Sequence, residues 1–175
     1  NQLSNANKIL DLGSGDGTHD FKILKQLKND STIIGIDIAK DGVDLSTNYI
    51  ENNFIPIVAD LNNLPIYDDS IDVILNILSP SSEKEMQRVL KKTGKIIKVT
   101  PKKEYLMELR NLLNIKEYEN EDIISQNIDT NYKIEEKFTI IEKHKLSKDQ
   151  FNCLINMTPL TKNYRIANEI NYITI

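Results

Sequence analysis

The sequence predicts a doubly wound α/β fold built on a mostly parallel sheet, on three observations. Short apolar runs alternate with amphipathic stretches for five successive units. Three of those runs close on or beside a carboxylate, Asp11, Asp37 and Asp60. The first run is followed by glycines at every second position, Gly13, Gly15 and Gly17, and then by an amphipathic segment. That is how a buried strand turns into a ligand-facing loop and a helix.

The apolar run from Lys8 that ends in the carboxylate Asp11 is the first expected strand. Phe21, Ile23, Leu24 and Leu27 recur at helical spacing, so a helix is expected from about Thr18 to Lys28. Thr32–Asp37 is a β-rich run, placed beside the first strand by a right-handed crossover. A helix over Lys40 to Asn52 and a strand over Ile55 to Asp60 repeat the unit, with Pro56 near the start of the run. Ser70 to Asn76 is a fourth strand, and Ser82 with Glu85 reads as a capping box opening a helix through Met86, Val89 and Leu90. Lys92-Thr93-Gly94 is expected to stop that helix before a fifth strand over Lys95 to Thr100. Beyond Pro101, the residues Tyr105, Leu106, Leu109, Leu112 and Leu113 trace another helix. Asn114 to Asn131 turns acidic and aperiodic and reads as a surface excursion. The tail is expected to be a strand over Tyr132 to Lys143, a helix capped by Ser147 and Gln150, and a strand over Ile170 to Ile175. Strand, helix and strand then close the sheet at seven strands.

The 175 residues suit one domain, 39% hydrophobic and 27% charged, with no apolar run long enough for a membrane span. One cysteine, Cys153, allows no internal disulfide and points to a reducing, cytoplasmic setting. With two histidines, His19 and His144, beside it, no metal site is expected. A net charge of −4 argues against a large basic nucleic-acid face. The chain begins at Asn1, a few residues before its first strand, and is expected to be a fragment lacking an N-terminal segment.

The spacing Gly13-x-Gly15-x-Gly17 differs from the G-x-G-x-x-G of dinucleotide folds, which counts against NAD. Asp37, 24 positions after Gly13, stands near the offset at which a carboxylate takes ribose hydroxyls. The alternative is an N-cap for the helix that follows.

Lys8 to Gly17, Gly35-Ile36-Asp37, Ala59-Asp60-Leu61 with Leu64-Pro65, Ile71 to Ile74 and Arg88 to Gly94 together resemble the successive motifs of class I S-adenosylmethionine-dependent methyltransferases. The resemblance implies a Rossmann-like, seven-stranded, mostly parallel sheet whose last strand is antiparallel. Thr100-Pro101, Tyr105 to Arg110 and Leu154 to Leu160 further resemble the bacterial 23S ribosomal RNA guanine-N1 methyltransferases, without that family's N-terminal zinc module. One domain over residues 1–175 follows.

The resemblance implies S-adenosyl-L-methionine as cofactor. The Gly13–Gly17 backbone would border its methionine part, Asp37 the ribose, and Ile38, Asp60 and Leu61 the adenine, with Asp11, Gly13, Ser14 and Gly15 among the cofactor-binding residues. Asn76 would border the amino group and the methyl. Tyr105, Met157, Thr158 and Pro159 are candidates for the acceptor pocket. The donor is already activated, so positioning and proton removal suffice and no triad is expected; no general base is named. The expected partner is ribosomal RNA or a small-molecule methyl acceptor, with no membrane and with room for a homodimer. A module that binds the cofactor without catalysis is the reading from another class.

Overall fold

Residues 3, 5–27, 30–114, 132–158 and 173–174 are described in the computed structural model of the protein. The chain divides into two units, Asn1–Thr100 and Pro101–Ile175.

In the first unit, β1 (Lys8–Leu12) is the middle strand of a five-stranded parallel sheet in the order β3-β2-β1-β4-β5. The others are β2 (Thr32–Asp37), β3 (Phe54–Val58), β4 (Ile71–Ile77) and β5 (Leu90–Val99). Ile9, Leu10, Ile33, Ile36 and Ile74 are fully buried, which is why these runs read as nearly continuous apolar stretches. Each such side chain contributes about 1.5–3 kcal/mol by leaving water, so the central strands hold the unit together. Ala6, Ile9, Ile33, Phe54, Val73 and Leu75 form one core cluster, and Ile23, Leu24 and Leu27 pack against it.

The order of strands reverses direction at β1 and β4, and in open α/β sheets the crevice beyond the carboxyl ends of such strands is where ligands bind. The glycine loop leaves β1 at that point and the Ile77–Pro80 segment leaves β4.

The helices are shorter than expected. The first, α1, is Thr18–Leu24. The helix expected over Lys40 to Asn52 is α2 (Lys40–Ser46) running into a 3-10 turn at Thr47–Asn52. Helix α3 is Glu83–Val89, and the capping box at its start is not formed. Glu85 is drawn elsewhere: its Oε2 accepts from Leu64 N at 2.8 Å and its two oxygens accept from Arg88. Nor does Lys92-Thr93-Gly94 end this helix. The carbonyls of Arg88 and Val89 accept instead from Asp69 N and Ser70 N, and the chain is already extended at Leu90. Strand β5 is longer than expected for that reason.

The second unit holds α4 (Met107–Leu112), β6 (Lys145–Leu146), α5 (Lys148–Met157) and β7 (Ile173–Thr174). Leu106, Leu109 and Phe151 make its small core, with Leu113, Leu146, Leu154 and Ile155 packed around them. The capping box expected at Ser147 and Gln150 is present in full. The strand expected over Tyr132 to Lys143 is not formed: the backbone is irregular and Ile134, Phe138, Ile140 and Ile141 are exposed. A β-rich pattern makes a strand only when a neighbouring edge accepts it, and none among the described residues does. Strands β6 and β7 pair antiparallel with each other as a two-stranded sheet. Among the described residues the parallel sheet therefore has five strands, not seven, and the antiparallel pair is a sheet of its own. Residues 115–131, most of the expected excursion, lie outside the described residues.

Candidate functional site

The turn after β1 is held by backbone bonds to β2. Gly13 N and Ser14 N both donate to Ile36 O, at 2.8 and 3.2 Å, and Gly15 N donates to Asp37 Oδ2 at 2.9 Å. Gly13, Gly15 and Gly17 all have left-handed φ, +85°, +55° and +72°. Their surroundings differ. A Cβ on Gly13 would lie 2.5 Å from Ser79 Cβ, and one on Gly17 would meet Ser46 and Phe54. A Cβ on Gly15 would meet nothing within 4 Å. Packing thus accounts for two of the glycines, while the third borders open space.

Asp37 sits half-buried at the end of β2 and its carboxylate does two structural tasks, accepting from Gly15 N and, through Oδ1, from Ala39 N at 2.8 Å. Ala39 is the residue before α2, so the alternative role of Asp37 as a cap is replaced by a clamp between two loops. An ionised carboxylate has about four acceptor sites, so two remain for a ligand's hydroxyls. Ile38 beside it is 72% exposed, an apolar face with no protein cover. One strand further out, Ala59 N donates to Asp37 O, and Asp60 Oδ1 accepts from both the backbone and side-chain nitrogens of Asn62. Asp60 is exposed and Leu61 half-buried.

Asn76, at the end of β4, is 1% exposed. Its Nδ2 donates to Ser79 O, Ser79 Oγ and Pro80 O, fixing the loop that packs on Gly13, while Ser79 Oγ donates to Leu12 O. Asn76 Oδ1 is buried without a hydrogen-bond partner. Ser79 is a residue sequence reasoning missed, since a serine in a loop carries no signal of what it will touch.

Asp20 was missed as well. The register places Asp11 beside Gly35 and Leu75, on the sheet face of Ile9, Ile33 and Val73 that α1 covers. Asp20 lies on the facing side of α1, three and four residues before Ile23 and Leu24. A carboxylate in an apolar helical stripe was its available signal. Asp11 is 6% exposed and Asp20 not exposed at all. Burial pushes Asp11 up to about 6, against a smaller opposing pull from its bond to Asp20; burial and then the charge of Asp11 push Asp20 up to about 8. Asp11 Oδ1, both Asp20 oxygens and Ser14 Oγ find no hydrogen-bond donor as the side chains stand. The two carboxyls are nonetheless within bonding reach of each other, and a proton on one makes that bond.

A second cluster braces the loop that follows Asp60. Arg88 donates to Leu64 O, Ile66 O and Asp68 Oδ1 as well as to Glu85, whose carboxyl the guanidinium holds down to about 2. The same pairing raises the Arg88 guanidinium above its ordinary range.

In the second unit Tyr105 is 42% and Met157 79% exposed, and Thr158 is half-buried. Leu106 has a φ of +53°, and Arg110 Nε donates to Tyr105 O. Pro159 lies outside the described residues. No group of acidic, histidine or cysteine side chains able to hold a metal exists among the described residues, and no helix there is long and apolar enough to cross a membrane.

Residues 3–149 match a family described as a methyltransferase domain. A Bacillus subtilis protein provisionally named a 23S rRNA (guanine-N(1)-)-methyltransferase is 39% identical over 107 residues, 60% of this chain and 38% of that protein. The 23S rRNA (guanine(748)-N(1))-methyltransferase of Streptomyces fradiae is 24% identical over 107 residues, 61% of this chain and 38% of its own length. The match thus spans well under half of these curated relatives. The crystal structure of a Bacillus halodurans C-125 protein provisionally called a methyltransferase shares the fold, with a TM-score of 0.60 at 16% identity over 91% of this chain and 75% of that one.

Proposed function

The chain belongs to the methyltransferase domain family, the S-adenosylmethionine-dependent methyltransferases, and we propose that it transfers a methyl group to a guanine ring nitrogen, N1, of 23S ribosomal RNA. One observation carries the cofactor half of this reading. The carboxyl ends of three adjacent strands present a glycine loop with open space over Gly15, a half-free Asp37 carboxylate beside the exposed Ile38, and Asp60. The buried, unpartnered oxygens of Asp11, Ser14 and Asn76 around that loop fit a ligand with an ammonium group.

When bound, S-adenosylmethionine supplies a methyl on a sulfonium, ready for in-line attack. Gly13, Ser14 and Gly15 line its amino-acid end, with Asp11 and Asn76 Oδ1 as acceptors there. The remaining acceptor sites of Asp37 take the ribose diol. Ile38 covers one face of the adenine, and Asp60 and the backbone of Leu61 meet its edge. Acceptance by Ser79 and Pro80 keeps Asn76 from turning, so its carbonyl stays aimed away from the loop it holds. Tyr105, Met157, Thr158 and Pro159 belong to the acceptor side in this reading. We take residues 1–175 as one methyltransferase domain, since the family match runs across both units. A ribosomal substrate gives the protein a cytoplasmic setting.

The test is mass spectrometry of 23S rRNA from cells with and without the gene. Loss of N1-methylguanine at one site is expected, and an unchanged level overturns the RNA acceptor. The net charge of −4 favours a second reading, a small-molecule acceptor. Methyl transfer to a metabolite with indifference to RNA decides for it. Calorimetry with S-adenosylmethionine tests the cofactor independently of both.

A further inference from the structure

We propose that Asp11 and Asp20 hold one proton between them behind the glycine loop, and that a ligand bringing a positive charge to Gly13–Gly15, as S-adenosylmethionine does, expels that proton to solvent. The inference rests on the cofactor reading above for its ligand, and on the geometry of the first unit for the pair.

The two carboxyls come from different layers, one from the end of β1 and one from the first turn of α1, and meet in an interior that excludes water. Two ionised carboxylates in contact there repel each other and are poorly solvated; one proton relieves both costs. The titratable groups bearing on the pair are His19 from α1, Asp37 from β2 and Asp16 from the loop. Ser14 Oγ, buried and unpartnered, belongs to the turn joining Asp11 to Asp20. A Cβ on Gly35, the register partner of Asp11, would lie 2.8 Å from Ser14 Cβ, which puts this third orphan on the same face of the sheet. The polar pocket is therefore built on one side of β1, under the loop that borders open space at Gly15.

Burial and mutual repulsion raise both carboxyls, so the pair keeps a proton well above the ordinary carboxylate range. An approaching ammonium favours the doubly ionised pair. The O–H bond of the protonated carboxyl breaks, its proton goes to the buffer, and the pair meets the cation with both carboxylates ionised. The linkage makes binding tighten as pH rises towards 8.

Two measurements on the 175-residue chain test this. In the ligand-free protein, carbon-detected NMR follows the aspartate carboxyls against pH. Two are expected to titrate well above the ordinary carboxylate range, and Asp20→Asn removes the upper one and brings Asp11 down. Titration of both in the ordinary range overturns the shared proton. Then calorimetry with S-adenosylmethionine and with S-adenosylhomocysteine is run at pH 7 in buffers of different ionisation enthalpy. Release of between about half a proton and one is expected, absent in Asp20→Asn, whose affinity no longer rises with pH. Binding without proton release in the wild-type chain overturns the linkage and leaves the cofactor reading intact. An elevated titration with no binding of either ligand overturns the cofactor reading and the linkage with it.

Discussion

Gly15→Asn separates a ligand cradle from a merely tight turn. Gly15 has a φ of +55°, in the left-handed region that asparagine tolerates better than other side chains, and a Cβ there meets no protein atom within 4 Å. The folded chain should therefore lose less than about 1 kcal/mol, which for a protein of this size is a fall in Tm of no more than about 4 °C. The new side chain fills the open space, and affinity for S-adenosylmethionine should drop at least about 100-fold, about 2.7 kcal/mol. Gly13→Ala is the contrast: its Cβ would lie 2.5 Å from Ser79 Cβ at a φ of +85°. Left-handed strain of about 1–2 kcal/mol and overpacking of about 1–3 kcal/mol both act there, so stability falls first. Thr18→Ala, at the start of α1, should leave affinity within about twofold, in keeping with Thr18 making its loop bond through backbone N. Thermal unfolding and calorimetry on the same samples give both quantities. Wild-type affinity in Gly15→Asn would refute the reasoning, because the space over Gly15 would then hold no part of the ligand.

Asp37→Ala removes the acceptor of both Gly15 N and Ala39 N, so it should weaken cofactor binding by more than about 100-fold while costing about 1–3 kcal/mol in stability; calorimetry and urea unfolding read the two effects. Glu85 is held near 2 in the folded chain against an ordinary 4.5, so its contribution is present above pH 4.5 and lost as pH falls towards 2. Glu85→Gln should accordingly lower Tm at pH 7 and converge with wild type near pH 2 in a pH series of thermal melts. Asp20 runs the other way. Its folded-state value is raised from 3.8 to about 8, so wild-type stability is fullest below 3.8 and drains away as pH rises through 8. Asp20→Asn, whose amide donates to an ionised Asp11, should be more stable than wild type above pH 8 by about 1–3 kcal/mol, as unfolding at matched pH would detect.

The parts of the fold visible in the sequence were those fixed by strong local pattern. Apolar runs closed by Asp11 and Asp37 gave β1 to within a residue and β2 at its observed bounds, and the glycine triplet gave the loop and its positive φ values. What sequence could not supply was the choice among competing partners. Ser82 and Glu85 have the spacing of a capping box, as do Ser147 and Gln150, but only the second forms, because Leu64 N from outside the helix and Arg88 one turn further along it capture Glu85. Tyr132 to Lys143 has strand composition without a strand, since no edge among the described residues receives it. Asp37 was legible as a site residue, whereas its clamp on Gly15, 22 positions away, follows only from the register of β1 on β2.

The polar groups of the first unit divide into two kinds, and the division locates the site more sharply than any single motif. Asp72, Glu85 and Arg88 spend their hydrogen-bonding capacity on bracing the chain: Asp72 alone accepts from Asn7 N, Lys8 N and Lys91 Nζ, and so fixes the start of β1. These are the walls. Asp11, Ser14, Asp20 and Asn76 are buried, yet each keeps at least one oxygen without a donor. An orphaned buried polar atom costs about 1–3 kcal/mol, so several of them in one unit are a substantial burden on a fold whose whole margin is about 5–15 kcal/mol. They are not scattered. All four belong to β1, the loop and helix that follow it, or the end of β4, the two strands between which the sheet order reverses. A stability cost concentrated at the one place where an open α/β sheet binds ligands is accounted for by a ligand that relieves it, and the unpartnered oxygens, all acceptors when ionised or neutral, call for one that brings donors and positive charge.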